Sequence, residues 1–291
     1  MNAGPERGGE MRRTNRRTCL LLALVLLIGC SSMSPRAPAA GPKTPIGQEQ
    51  LWSLLLETGP MPKSLVYTDP HGTLDLSTFP SDPFPAQRLA TVDLARVTVL
   101  HLGDMNASSV DLLCPRLDHL RELSFDCRGD LSETEPNLGD SGALRVIACP
   151  ALKTIRSLSL PLCGVGDETA RAIARADFPE LTTLNLGGGH VGDLGAEALA
   201  RSPVAKTLND IGLWASAVGD RGIVALVGSG ILARAEVDLS RNYITDEGAQ
   251  HLLDLAIEEV KKLDLASNMQ VTQELSSRLD AKFGDRIETP W

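Results

Sequence analysis

Four segments of this chain repeat one phrase at almost constant spacing. It reads apolar-x-Leu, then Val or Ile five positions on, Gly or Thr, Asp, two residues, and apolar-x-x-apolar. One copy is Leu184, Leu186, Val191, Gly192, Asp193, Ala196, Leu199, and the copies begin at Leu158, Leu184, Ile211 and Val237, in steps of 26, 27 and 26. A unit of this length cannot shelter its own apolar face. It becomes stable only by stacking on neighbours, so the period predicts a solenoid and not a closed globule.

Each copy changes hydrophobic period midway. The apolar-x-Leu part alternates, so both apolar residues point one way, as in a short strand. The later half, Gly195-Ala196-Glu197-Ala198-Leu199-Ala200, has apolar residues at helical spacing. Asp167, Asp193, Asp220 and Asp246 stand where each helix should start, and an Asp there is expected to cap its own helix.

The strand segments read L-x-x-L-x-L-x-x-N/C, as in Leu181-Thr182-Thr183-Leu184-Asn185-Leu186, Val237-Asp238-Leu239-Ser240-Arg241-Asn242 and Val260 to Asn268. This pattern resembles the leucine-rich repeat family, in its ribonuclease-inhibitor-like type. The resemblance implies an α/β fold: a right-handed solenoid with a parallel β-sheet on the concave side and helices on the convex side. It also implies an Asn or Cys ladder, in which Cys163 fits while Gly189 and Ser216 depart. Degraded copies lie at Leu100-His101-Leu102 and Leu120 to Phe125, with an insertion near 128–137.

Residues 94–272 are thus expected to form the solenoid. Solenoid ends expose raw apolar faces, so 46–93 reads as an N-terminal cap and 273–291 as a C-terminal cap. Within the first cap, 47–57 predicts a short helix, and the alternating 64–68 and 73–77 around Asp69-Pro70-His71-Gly72 predict a hairpin.

The front of the chain has another character. Basic Arg12, Arg13, Arg16 and Arg17 precede the apolar run 19–28, which is of signal-peptide length and too short to cross a bilayer. Leu27-Ile28-Gly29-Cys30 resembles the bacterial lipoprotein cleavage box, which implies that Cys30 becomes a lipidated first residue. Residues 1–29 then form the signal, with Met11 as serviceable a start as Met1, and the Pro- and Ala-rich 30–45 a flexible tether. Several acyl chains at Cys30 would be the only membrane contact, and the expected place is the cell envelope, at the outer membrane.

The full chain carries 28 Lys and Arg against 37 Asp and Glu, and losing residues 1–29, with five Arg and two Glu, moves the net charge from −9 to −12. No basic footprint for nucleic acid exists. Of six cysteines, four remain after Cys19 and Cys30: Cys114, Cys127, Cys149 and Cys163. Cys114 and Cys149 each precede their strand Leu by nine residues, and Cys127 and Cys163 follow theirs closely, which favours the pairs 114–149 and 127–163. The competing reading is four buried thiols, with Cys163 filling its ladder slot.

Catalytic patterns are missing. The five His are scattered, and neither H-x-x-x-H nor G-x-S-x-G occurs. No metal or cofactor is expected. Gly187-Gly188-Gly189-His190-Val191-Gly192 matches G-x-G-x-x-G, but Val191 and Gly192 stand in the ordinary repeat columns, so it reads as repeat frame and not as a nucleotide site.

A leucine-rich solenoid presents the residues flanking its inward Leu along the concave sheet. Here these include His101, Glu122, Asp126 and Asn185 in the first half, and Asp210, Trp214, Glu236, Asp238, Lys262 and Asp264 in the second. Acids dominate, with one aromatic near the centre. The expected function is capture of a protein partner of basic character. A structural or self-associating envelope component is the alternative, and an enzyme with an unrecognised site comes third.

Overall fold

The computed structural model describes residues 44–62, 65–78, 86–103, 107–117, 119–127 and 138–291. The signal segment, Cys30 and most of the tether lie outside the described residues.

The chain opens with β1 (Thr44–Ile46), α1 (Gln48–Leu56), β2 (Leu65–Tyr67), β3 (Thr73–Leu76) and α2 (Ala86–Leu89). Strand–helix coils follow: β4 (Val99–Leu102) with α3 (Ala107–Leu113), β5 (Glu122–Phe125) with α4 (Gly139–Ile147), and β6 (Ser157–Ser159) with α5 (Asp167–Arg175). Next come β7 (Thr183–Asn185) with α6 (Asp193–Ala200), β8 (Asp210–Gly212) with α7 (Asp220–Ser229), and β9 (Glu236–Asp238) with α8 (Asp246–Ala249). The chain closes with β10 (Lys262–Asp264), α9 (Gln273–Phe283) and β11 (Ile287–Glu288).

Among the described residues, β3 to β11 form one nine-stranded parallel sheet in sequence order, and α5, α6 and α7 pack side by side as a second layer. The register is set by the repeat. Leu74, Leu100, Leu123, Leu158, Leu184, Ile211, Val237, Leu263 and Ile287 stand in one row, each at most 5% exposed. Burying such a side chain contributes about 1.5–3 kcal/mol, and a one-residue slip would turn the whole row to solvent.

Between strand and helix the backbone turns through a left-handed residue in five successive coils: Leu162, Gly188, Ala215, Arg241 and Ser267, with φ between 46° and 70°. Four of the five carry a Cβ, which costs roughly 1–2 kcal/mol each. The turn extends the ladder in return, for Leu162 N donates to Gly187 O, Gly188 N to Trp214 O and Ala215 N to Ser240 O.

Two local expectations need correction. The hairpin around Asp69–Gly72 does not form: β2 pairs in parallel with β1, and β3 joins the main sheet beside β4. Asp69 Oδ2 accepts from His71 N and Thr73 N and turns the chain away. Alternation marks any half-buried strand, and the row of Leu100 and Leu102 offers β3 more apolar cover than β2 does.

The Asp column does not cap its own helices. Asp167 Oδ1 accepts from Gly192 N and Gly195 N of the next coil, at 2.8 Å each, and Asp193 does the same for Gly219 and Gly222. Asp140 begins the series on Gly166 and Thr169. Asp220 and Asp246 end it on the amide and hydroxyl of Thr245 and Thr272. Helices α5, α6 and α7 are thus capped in trans by the coil before them, whereas α8 and α9 are capped by their own Thr245 and Thr272, which Asp220 and Asp246 of the preceding coils hold in place. Gly195, Gly222 and Gly248 permit this, because a Cβ there would lie 2.7, 2.9 and 2.4 Å from the capping carboxylate oxygen.

A second ladder joins the last coils. Asn242 Nδ2 donates to Leu213 O and Leu239 O while its Oδ1 accepts from Val218 N, and the fully buried Asn268 repeats this one coil on. At the start of the sheet, Gln48 Oε1 accepts from Asp75 N and Trp52 Nε1 donates to Asp75 O, so α1 seals the outer edge of β3. At its end, two-residue β11 runs into Pro290, which has no N–H to offer another strand.

Candidate binding surface

The alternation that buries the Leu row sends the intervening residues to the open face of the sheet. The register lines up Asp75, His101, Ser124, Ser159, Asn185, Gly212, Asp238, Asp264 and Glu288 in one row. A parallel row holds Glu122, Ser157, Thr183, Asp210, Glu236 and Lys262. The face therefore divides. Asp210, Glu236, Asp238, Asp264 and Glu288 occupy adjacent strands at the C-terminal end, whereas Ser157, Ser159 and Thr183 separate them from Glu122, Asp126 and His101. Asp75 and Glu288, contributed by the two cap segments, were missed by sequence reasoning. The L-x-L alternation of Thr73–Leu76 was the available signal for the first, and Glu288 had none.

Crowding leaves an electrostatic mark. The Asp210 side chain keeps an open side, but its carboxyl is partly withdrawn from water. That burial, then Glu236 and Asp238, pushes it above the usual carboxylate range against the pull of Lys261. Burial also raises Asp264, helped by Asp238 and Glu288 and opposed by the Ala266 amide and Lys262. Lys261 reaches Glu236 at 3.4 Å, and both side chains are more than 40% exposed, so this pair offsets little.

The central row also has a structural duty. Asp238 Oδ1 accepts from Ser240 N and Oγ, Asp264 Oδ1 from Ala266 N, and Asn185 Oδ1 from Gly187 N. Asp75 Oδ1 does the same with Ser77. These Asx turns steer the chain out of each strand. The Asp-x-Ser and Asn-x-Gly spacings were its legible sign.

Trp214 is half-buried and not fully open. Its indole occupies the space above Gly187 and Gly188, where a Cβ on Gly187 would lie 2.3 Å from Nε1. Leu162, 47% exposed, closes over Gly188 from the other side. The glycine run is the seat of an aromatic platform. Its third member, Gly189, lets the Val165 carbonyl approach to 2.4 Å of where a Cβ would stand. The nucleotide reading meets a direct obstacle too. The amides of Gly192 and Gly195, where a phosphate would bind, already hold the Asp167 carboxylate.

The four cysteines stand in two bonded pairs, Cys114 with Cys149 and Cys127 with Cys163. Among the described residues, no three His, Cys, Asp or Glu converge as metal ligands, and no helix is long and apolar enough to cross a membrane.

A family model described as leucine-rich repeat matches residues 180–200 and 236–253, the coils in which the strand phrase and the Asp column are most regular. With its stacked strand–helix coils and parallel sheet, the chain carries leucine-rich repeats and folds as an α/β solenoid of that type. Among solved structures it is similar to a Bacteroides fragilis protein, at 19% identity over 67% of this chain and 66% of that one, with a TM-score of 0.46. It is also similar to a chain of the yeast Rad7–Elc1 complex, at 15% identity over 81% and 63% of the two chains, with a TM-score of 0.43. The chain thus spans slightly less than two thirds of either one's length. No curated protein matches it.

Proposed function

We propose that this solenoid is a protein-binding module that takes a basic segment of its partner across the C-terminal half of the open sheet. We further propose that it works in the cell envelope of a bacterium, held to the outer membrane by acyl chains on Cys30. The observation that carries the binding reading is the run of Asp210, Glu236, Asp238, Asp264 and Glu288 over four neighbouring strands, with Asp210 and Asp264 raised by burial and by their acidic neighbours. A cationic partner would relieve that crowding, and the Trp214 platform beside it offers an aromatic surface for a guanidinium or aliphatic side chain.

Crosslinking in the native envelope, followed by mass spectrometry, tests the reading. Charge reversal at Glu236, Asp238 and Asp264 together should weaken partner capture at least tenfold, with raised salt acting in the same direction. Capture unchanged by both would remove the proposal. The same spectra report acyl chains on Cys30, and Cys30→Ser should release the protein from membranes. Self-association is the weaker reading, because α1 covers one end of the sheet and Pro290 interrupts the other.

A further inference from the structure

We propose that the junction of α3 with α4 is a redox-sensitive joint, held shut by the Cys114–Cys149 disulfide and opened by a dithiol reductant. Cys149, just past α4, is bonded to Cys114 at the end of α3 in the coil before, with their Cα atoms 5.7 Å apart. Cys127, just past β5, is bonded to Cys163 in the coil after, at 5.0 Å.

On the N-terminal side of α4, β4 pairs with β5 over four residues and α3 packs on α4, but no carboxylate cap crosses between those two helices among the described residues. Among the described residues the Asp ladder begins at Asp140, in α4 itself, and reaches only forward. Towards α3 there is an ion pair, Arg145 with Asp111, whose side chains are each about half exposed (51% and 52%) and which adds little. Beneath the Cys114–Cys149 bond lies a cavity of about 20 Å³ lined by apolar groups, among them Leu100, Val110, Leu113, Phe125 and Val146. The core is thus incompletely filled at the plane the bond spans.

The two bonds differ in access. Cys114 is half-buried, whereas Cys127 and Cys163 are at most 3% exposed, so the Cys114–Cys149 bond meets a reductant first. A thiolate of the dithiol attacks one sulfur of that bond, forming a mixed disulfide. Its second thiol then displaces the cysteine and closes the reductant's own disulfide. The two protons of the dithiol end on Cys114 and Cys149. Opening loosens the packing of α3 on α4 and leaves the acidic C-terminal strands in place. The proposal stands apart from the partner-binding reading.

The test uses the full chain. Alkylation of the denatured protein before reduction should leave Cys114, Cys127, Cys149 and Cys163 unlabelled. Under graded dithiothreitol, label should then reach Cys114 and Cys149 before the other pair. At that stage hydrogen exchange should quicken at least tenfold in peptides covering 99–117 and 139–152, and stay unchanged over 183–239. Label on any of the four before reduction, labelling of all four together, or exchange that quickens evenly or not at all, each overturns the joint. Cys114→Ser with Cys149→Ser should show the same local exchange without reductant, and if that variant does not fold, graded reduction of the parent still decides.

Discussion

The coils from β6 to β10 and those from β3 to β5 solve the same stacking problem with different chemistry. The helices of the later coils are tied back by carboxylates of the coil before: Asp140, Asp167 and Asp193 cap α5, α6 and α7, Asp220 and Asp246 hold the capping Thr245 and Thr272, and Asn242 and Asn268 bond carbonyls of two coils at once. In the earlier coils the steps are uneven, a small void persists, and two disulfides cross the coil boundaries. Cys127 and Cys163 stand at the strand exits where the last coils place their ladder Asn. A strict period lets one polar side chain satisfy its neighbour's backbone in every coil. Where the period drifts, those donors no longer meet, and a covalent link takes over.

Four experiments would break or sharpen this contrast. Asn268→Ala is expected to have the largest effect. It leaves Ile244 N without an acceptor in a fully buried site, at about 1–3 kcal/mol, and removes one of two donors from each of Leu239 O and Leu265 O, at about 0.5–1.5 kcal/mol each, so a loss of roughly 3–4 kcal/mol should appear in urea denaturation. A loss below about 1 kcal/mol would mean that the Asn ladder is dispensable.

Asp193→Ala should cost about 2–4 kcal/mol, because two amides at the start of α7 lose a charged acceptor, and faster exchange should be confined to that helix start. Its counterpart in the earlier coils, Asp111→Ala, removes only a half-exposed ion pair and should cost less than about 1 kcal/mol. Equal costs would erase the distinction between the two regions.

The third concerns pH. Asp210 and Asp264 are raised when folded, so the stability they contribute is complete below their ordinary value of 3.8 and is lost as pH rises through the raised values. Asp264→Asn, which keeps an oxygen for Ala266 N, should therefore raise Tm at pH 7, with the gain gone by pH 3. A gain that persists at pH 3 would point to packing and not charge. Partner capture should fall in the same variant. The smallest effect is expected from Ser276→Ala. The buried hydroxyl of Ser276 has no hydrogen-bond partner among the described residues, so its removal should stabilise the C-terminal coil by at most about 1 kcal/mol.

Much of the architecture was legible in the residues. The alternation of Leu184 and Leu186 announced a strand, the spacing of Ala196 and Leu199 a helix, and the 26-residue step the register of the sheet. The open-face row followed from the same alternation, which is why Asp238 and Asp264 could be placed in one line. The hairpin at 64–77 went astray because alternation identifies a strand without naming its partner. The half-buried seat of Trp214 is not legible, because nothing local shows that glycines one coil earlier leave room for its ring.

The sequence by itself thus determined the repeating unit, the faces of its strands and helices, and the sign of charge along the sheet, since each depends on residues a few positions apart. Only the tertiary structure decided that each Asp serves the next helix, that the glycine run seats Trp214, and that non-glycine residues such as Leu162 and Arg241 take left-handed backbone. Those outcomes join atoms about 24–29 residues apart in the chain and only a few ångströms apart in space. No local pattern records such a contact until stacking brings the coils together.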